Sequence, residues 1–195
     1  MSFKGYVQVY TGNGKGKTTA AIGLALRALG AGKKVLFLQF MKTATYSEHK
    51  ILPTISPNLT LKTLGKPFFV VKEGSMPEAE LAKWRKQAVI FPPGQPPQEY
   101  VDLMGEGLAL ARKAVSSGEY QVVILDELVV ALHFGLVTWQ AVKSLIEAKA
   151  PDVELVLTGR GATEELIELA DLVTEMREIK HYYTQGVIAR KGIEN

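Results

Sequence analysis

The chain has 195 residues, 47% of them apolar, with 23 Lys and Arg against 20 Asp and Glu and no cysteine. That is one domain, long enough to bury roughly 70% of the surface its unfolded chain exposes, so a disordered chain is excluded. Without cysteine there are no disulfides, thiolate metal sites or thiol nucleophile, and a net charge of +3 without basic clusters leaves no nucleic-acid footprint.

Gly5-Tyr6-Val7-Gln8-Val9-Tyr10 is rich in Val and Tyr and runs into a glycine-rich turn, which predicts a strand. From Lys17 to Gly32 helix formers dominate, and Gly30 and Gly32 supply a stop. Val35-Leu36-Phe37-Leu38 is a continuous apolar run, as a parallel strand covered on both faces requires. Met41 to Pro57 reads as loop broken by Pro53 and Pro57, and Leu59 to Leu64 as a short strand. Glu78 to Phe91 and Pro97 to Ser117 read as helices joined by the rigid Pro92-Pro93-Gly94-Gln95-Pro96-Pro97. Tyr120 to Leu125 is the most apolar strand, ending in Asp126-Glu127. Thr138 to Lys149 and Thr163 to Leu169 read as helices, Val153 to Leu157 and Leu172 to Ile179 as strands. Strands and helices alternate, so the expected fold is α/β, a mostly parallel sheet with helices on both faces and right-handed crossovers. Ligands then bind beyond the carboxyl ends of the strands. With no secretory signal at Met1 to Gly5 and no long apolar span, a single soluble, cytoplasmic domain over 1–195 without membrane contact is expected.

Thr11-Gly12-Asn13-Gly14-Lys15-Gly16-Lys17-Thr18 fits the phosphate-binding loop G-x-x-x-x-G-K-[ST], with Thr11 in place of the first glycine. Its glycines let successive N–H groups turn toward phosphate oxygens, and the following helix presents its positive end to the same anion. Lys17 adds a mobile charge. Thr18 has the hydroxyl that ligates Mg²⁺ in such loops, with Thr19 next to it, while Asn13 and Lys15 stand where they reach terminal phosphates. Asp126 and Glu127, at a strand end, supply the carboxylates that Mg²⁺ prefers. Arg160, in Thr158-Gly159-Arg160-Gly161, follows another strand and either meets a phosphate or is an ordinary exposed arginine. The architecture implied is P-loop NTPase-like, of the RecA-like kind. His49, His133 and His181 offer no metal-ligand spacing, and Trp84 and Trp139 read as packing anchors.

These residues in this order resemble the P-loop ATP:corrinoid adenosyltransferases. The likeness runs over nearly the whole chain: Tyr10 to Ala21, Gln39-Phe40-Met41-Lys42, Leu125 to Leu128, Thr158 to Gly161, Ala170 to Met176, Lys180-His181 and Ala189 to Glu194. The family's loop also carries threonine at the position of Thr11. The resemblance implies transfer of the adenosyl group of ATP to the Co(I) of a corrinoid, with triphosphate leaving. The metal is the nucleophile, so Lys17, Thr18 and Glu127 position and neutralise charge, and no general base is needed. It also implies ATP lying in the reverse direction along the loop, a homodimer, and a flavoprotein as electron donor. Members carry Gly-Phe-x-Trp where this chain has Gly65-Lys66-Pro67-Phe68-Phe69-Val70, so Phe68 and Phe69 are candidates to displace the corrinoid's lower ligand, with core packing as the alternative. Lys42 and His181 are further corrinoid candidates. The chain departs from the family at Thr43, where a glycine is common, and in lacking the N-terminal extension that caps the partner's site in some members. Another P-loop kinase or ATPase, and a corrinoid-binding module without turnover, remain open alternatives.

Overall fold

In the computed structural model, residues 3–75, 78, 81–82, 85 and 88–195 are described. Strand β1 (Val7–Thr11) is followed by helix α1 (Lys17–Gly30) and by β2 (Val35–Phe40), all six residues of which are buried. A short helix α2 (Leu52–Ile55) leads to β3 (Leu59–Leu64). The small strands β4 (Phe69–Lys72) and β5 (Ala88–Phe91) come next, then the long helix α3 (Gln98–Ser116) and β6 (Val122–Asp126). Helices α4 (Leu128–His133) and α5 (Trp139–Glu147), β7 (Glu154–Thr158), α6 (Glu164–Leu169) and β8 (Leu172–Glu175) complete the order.

The main sheet runs β3-β2-β6-β7-β1-β8, and every pairing in it is parallel. Because side chains alternate along a strand, β2 sends Val35 and Phe37 to one face and Leu36, Leu38 and Phe40 to the other. On the first face Ala21, Ala25 and Ala28 of α1 meet the sheet, and their small side chains let the helix lie close. On the second face Met104 and Ala111 of α3, Leu128 of α4 and Val142 and Leu145 of α5 close a larger core, with Trp139 packed at its edge. Two covered faces account for the uninterrupted apolar runs of β2 and β6. No helix among the described residues is long and apolar enough to cross a membrane.

Three boundaries differ from the sequence pattern. Glu78 to Phe91 does not end as helix: Ala88–Phe91 is a strand paired in parallel with Phe69–Lys72 in a separate two-stranded sheet. Val89, Ile90 and Phe91 are β-branched or aromatic and precede Pro92, so strand pairing wins there. Residues 76–77, 79–80, 83–84 and 86–87 lie outside the described residues, Trp84 among them. Met41 to Pro57 is not wholly loop, since it contains a 3₁₀ turn at Ser47–Lys50 and then α2, which holds Pro53 in its first turn where a missing N–H is harmless. The last strand stops at Glu175 and not at Ile179, because Met176 turns onto the glycine-rich loop: its N–H bonds the Thr11 carbonyl at 2.8 Å and its carbonyl accepts from Gly14 at 2.7 Å.

Candidate active site

The carboxyl ends of β1, β2, β6, β7 and β8 share one rim, and the chemistry-bearing segments all leave from it. After β1 the loop turns through Gly12 at φ 95° and Gly16 at φ 117°. A Cβ on Gly12 would stand 2.4 Å from the Met176 carbonyl oxygen, so this position has room for no side chain. The Thr11 hydroxyl accepts from Ala162 N–H at 3.3 Å and ties the loop after β1 to the loop after β7. A glycine there would forgo that tie, which accounts for the departure from the general motif. Lys17 is folded back onto its own loop, its Nζ donating to the carbonyls of Gly12 and Gly14 at 2.7 Å each. Burial lowers its proton affinity and nearby Arg160 lowers it further, against the pull of Glu127 and Asp126.

Asp126 is wholly buried at the end of β6 and is held on every side. Its Oδ1 accepts from Thr158 Oγ1 at 2.6 Å and Thr18 Oγ1 at 3.0 Å, and its Oδ2 from Lys42 Nζ at 2.8 Å and Gln39 Nε2 at 3.1 Å. Gln39 is positioned in turn by His49. The His49 Nδ1 accepts from Tyr46 N–H at 3.0 Å, so Nε2 carries the proton and donates to Gln39 Oε1. Desolvation works against the charge of Lys42, but Asp126 and Glu127 outweigh it and hold the ammonium above the ordinary lysine value. Glu127 stands at the start of α4 in the left-handed region, φ 62°, and its N–H donates to Thr158 Oγ1 at 3.0 Å. Burial pushes its carboxyl up, Asp126 adds to the push, and Lys42, Lys17 and Arg160 oppose it.

A cleft of about 760 Å³ opens above this rim. Asn13 to Thr19, Lys42, Glu127 and Arg160 give it a polar lining, and Phe69, Val70, Val71, Val130 and Phe134 an apolar one. The two aromatic candidates part company here. Phe69 lines the cleft and is 48% exposed. Phe68 instead packs against Tyr100, with ring centroids 5.6 Å apart at 72°, on the edge of the core. The Tyr100 hydroxyl donates to the Phe68 carbonyl at 2.8 Å and accepts from Lys66 N–H at 3.3 Å, so α3 anchors the segment that presents Phe69. Tyr100→Phe leaves that carbonyl short of a partner and is expected to cost about 1–3 kcal/mol, read as a lowered midpoint in urea unfolding.

The C-terminal segment returns to the cleft. His181, Ile193 and Glu194 line it, and Ser47 Oγ donates to the Asn195 carbonyl at 2.9 Å. Arg190 and the Tyr182 hydroxyl both bond the Glu194 carboxylate, which holds that carboxyl down at about 2.

Comparison with known proteins agrees with this arrangement. Residues 3–195 match the family described as ATP:corrinoid adenosyltransferase BtuR/CobO/CobP. The chain belongs to the ATP:corrinoid adenosyltransferase family. It is 31% identical to a corrinoid adenosyltransferase of Pseudomonas aeruginosa over 98% of this chain and 84% of that one. It is 30% identical to that of Escherichia coli K12 (98% and 86%) and 32% identical to that of a Sinorhizobium species (98% and 80%).

Within this family frame, the structure brings Asn13, Gly14, Lys15, Gly16, Lys17, Thr18, Thr19, Lys42, Phe69, Glu127, Arg160 and His181 to one cleft. Asp126 lies directly beneath it, and Gly12 holds the turn that shapes the loop. Phe68 stands apart from it, on Tyr100. Sequence patterns missed the contribution of α4, a helix of six residues whose run Leu128-Val129-Val130-Ala131-Leu132-His133 shows no periodicity to find. The roles of Gln39, quoted only as part of the family likeness, and of His49 were also hidden, since neither has a motif spacing to Asp126.

Proposed function

We propose that the protein transfers the 5′-deoxyadenosyl group of ATP to the Co(I) of a corrinoid and releases triphosphate, in the biosynthesis or salvage of adenosylcobalamin. The observation that carries this reading is one cleft lined both by a phosphate cradle, Asn13 to Thr19, and by an apolar, aromatic set that includes Phe69 and Phe134. A nucleotide's phosphates suit the first lining and a flat macrocycle the second.

In the reaction a bond forms between cobalt and C5′ of the ribose while the bond from C5′ to the triphosphate oxygen breaks. The attacking electron pair resides on the substrate's cobalt, so no side chain has a proton to remove. What remains for the protein is alignment and charge. The loop amides and Lys17, Lys15 and Arg160 neutralise the four or so negative charges that gather on a departing triphosphate, in a site where fixed dipoles and cations act more strongly than in water. Lys17 now rests on two loop carbonyls and makes no ion pair among the described residues, ready to exchange the carbonyls for phosphate oxygens.

Mg²⁺ belongs to this proposal. The donors Thr18 Oγ1, Asp126 and Glu127 are the hard oxygens it prefers, and the Lys42 ammonium lying on the first two, at 3.1 and 2.8 Å, supports a cation at this spot. When bound it would add charge neutralisation at the phosphate chain. Family likeness extends the proposal to a single P-loop domain over 1–195, a cytoplasmic homodimer, and a flavoprotein that delivers electrons to the corrinoid, with Phe69 and His181 on the corrinoid side of the cleft.

The deciding assay is anaerobic, with chemically reduced cob(I)alamin and MgATP, following the absorbance change of cobalt–carbon bond formation and the light sensitivity of the product. Turnover with accumulation of triphosphate upholds the proposal. Release of ADP would point to a kinase or ATPase, and binding without turnover to a carrier. Phe69→Ala removes half-exposed ring surface from the corrinoid wall and is expected to raise KM for the corrinoid about tenfold while leaving KM for ATP unchanged.

A further inference from the structure

Asp126 has no acceptor capacity to spare. A carboxylate offers about four lone-pair positions, and Thr158, Thr18, Gln39 and Lys42 take them. A divalent ion that binds the Thr18 hydroxyl and Asp126 therefore needs one donor to leave. Thr158 and Gln39 are fully buried side chains on β7 and β2, fixed by the strands on which they stand. Thr18 is itself one of the metal donors. Lys42 is left, at 13% exposure of its side chain and lining the cleft.

The surroundings of Lys42 let the side chain move while the backbone stays. Met41 holds φ 60° and its N–H bonds the Leu64 carbonyl at 2.7 Å. Gly65 lies so close that a Cβ on it would stand 2.4 Å from the Lys42 carbonyl carbon. The chain is thus clamped up to the Lys42 Cα, beyond which a flexible four-carbon stem carries the charge. That charge sits where hydroxyl and carboxylate converge, 3.1 Å from Thr18 Oγ1 and 2.8 Å from Asp126 Oδ2. Two cations do not share such a spot, because each disfavours the other's charge.

We propose that Lys42 is an exchangeable cation: without divalent metal its ammonium joins Thr18 to Asp126, and on metal binding it yields both oxygens and moves onto the phosphate chain of the substrate. Lys42 reaches the same cleft as Lys15, Lys17 and Arg160, so its second position adds a fourth full positive charge around the phosphates. Only this second half rests on the cleft's being a nucleotide site. The competition between lysine and metal needs neither nucleotide nor corrinoid.

The test separates the halves. Mn²⁺, a paramagnetic stand-in for Mg²⁺, is titrated into the full chain without nucleotide and its free signal followed by electron paramagnetic resonance. Lys42→Met is expected to bind Mn²⁺ at least about tenfold more tightly than the wild type, because a competing charge beside the carboxylate is gone. Tripolyphosphate titrated into each protein already saturated with Mn²⁺, followed by calorimetry, is expected to bind Lys42→Met about tenfold more weakly. Opposite signs in one variant are the signature of exchange. Lys42→Arg keeps the charge and is expected to stay within about threefold of the wild type in both titrations. Lys42→Gln retains an N–H donor for Asp126 and carries the same expectations as the methionine variant should that one not fold. The thermal midpoint lost on removing the charge is expected to return more fully on adding Mn²⁺ than the wild type's midpoint rises. Unchanged or weaker Mn²⁺ binding overturns the exchange. Tighter Mn²⁺ with unaltered tripolyphosphate binding overturns the move onto phosphate. Neither result depends on adenosyl transfer, so a wild type that binds Mn²⁺ and phosphate as expected without turning over would count against the transferase reading and not against this one.

Discussion

Lys17→Ala is expected to reduce adenosyl transfer about 10³-fold or more while leaving the protein folded. Removing one donor from a site that stabilises developing negative charge costs about 10²–10³ in kcat, and Lys17 brings a full charge to a highly charged leaving group. Among the described residues its polar contacts are to the carbonyls of Gly12 and Gly14, on the loop it springs from. The shape of that loop is held independently by Met176, which bonds both Thr11 and Gly14, and by the Thr11 hydroxyl to Ala162. Stability therefore does not hang on the ammonium, and a melting temperature within a few degrees of the wild type is expected. Single-turnover measurements with preformed cob(I)alamin separate the chemical step from binding. A variant that keeps more than about a tenth of the wild-type rate would show that the leaving triphosphate is not cradled by this loop.

The sequence disclosed the parts of the fold whose physics is local. A glycine-rich turn between a Val-rich strand and an alanine-rich helix has one common use, and the buried runs of β2 and β6 announce a sheet covered on both faces. What stayed hidden depends on contacts far apart in the chain. Ala88–Phe91 is a strand because Phe69–Lys72 lies beside it, a partner no window of residues contains. Phe68 and Phe69 are adjacent and chemically identical, yet the alternation of a strand start sends one to Tyr100 and the other to the cleft. The same holds for polar residues. Gln39 reads as an odd polar residue in an apolar strand, and His49 as a solitary histidine. Both become intelligible only when β2 lies against β6 and places Gln39 level with Asp126 in the register.

This shared register makes Asp126→Ala the most disruptive single change expected in the site. The carboxylate is wholly buried and compensates the Lys42 ammonium, and it also accepts from Thr18, Thr158 and Gln39. Removing one partner of a buried ion pair costs about 3–5 kcal/mol, because the other charge is left without compensation. For a chain of this length each kcal/mol moves the thermal midpoint by about 2–4 °C, so a drop on the order of 10 °C is expected in differential scanning calorimetry. Asp126→Asn should recover little of it: its amide keeps one acceptor oxygen but turns an N–H₂ group toward a ring of donors, so donor faces donor where the carboxylate accepted. The Lys42→Met variant in the Asp126→Ala background supplies the control. With both charges absent the ion-pair part of the loss should disappear, and the double variant is expected to be more stable than Asp126→Ala alone, a non-additivity that contact between the two groups requires. Simple addition of the two losses would mean that Asp126 serves the sheet through Thr158 and Gln39, with the ion pair contributing nothing.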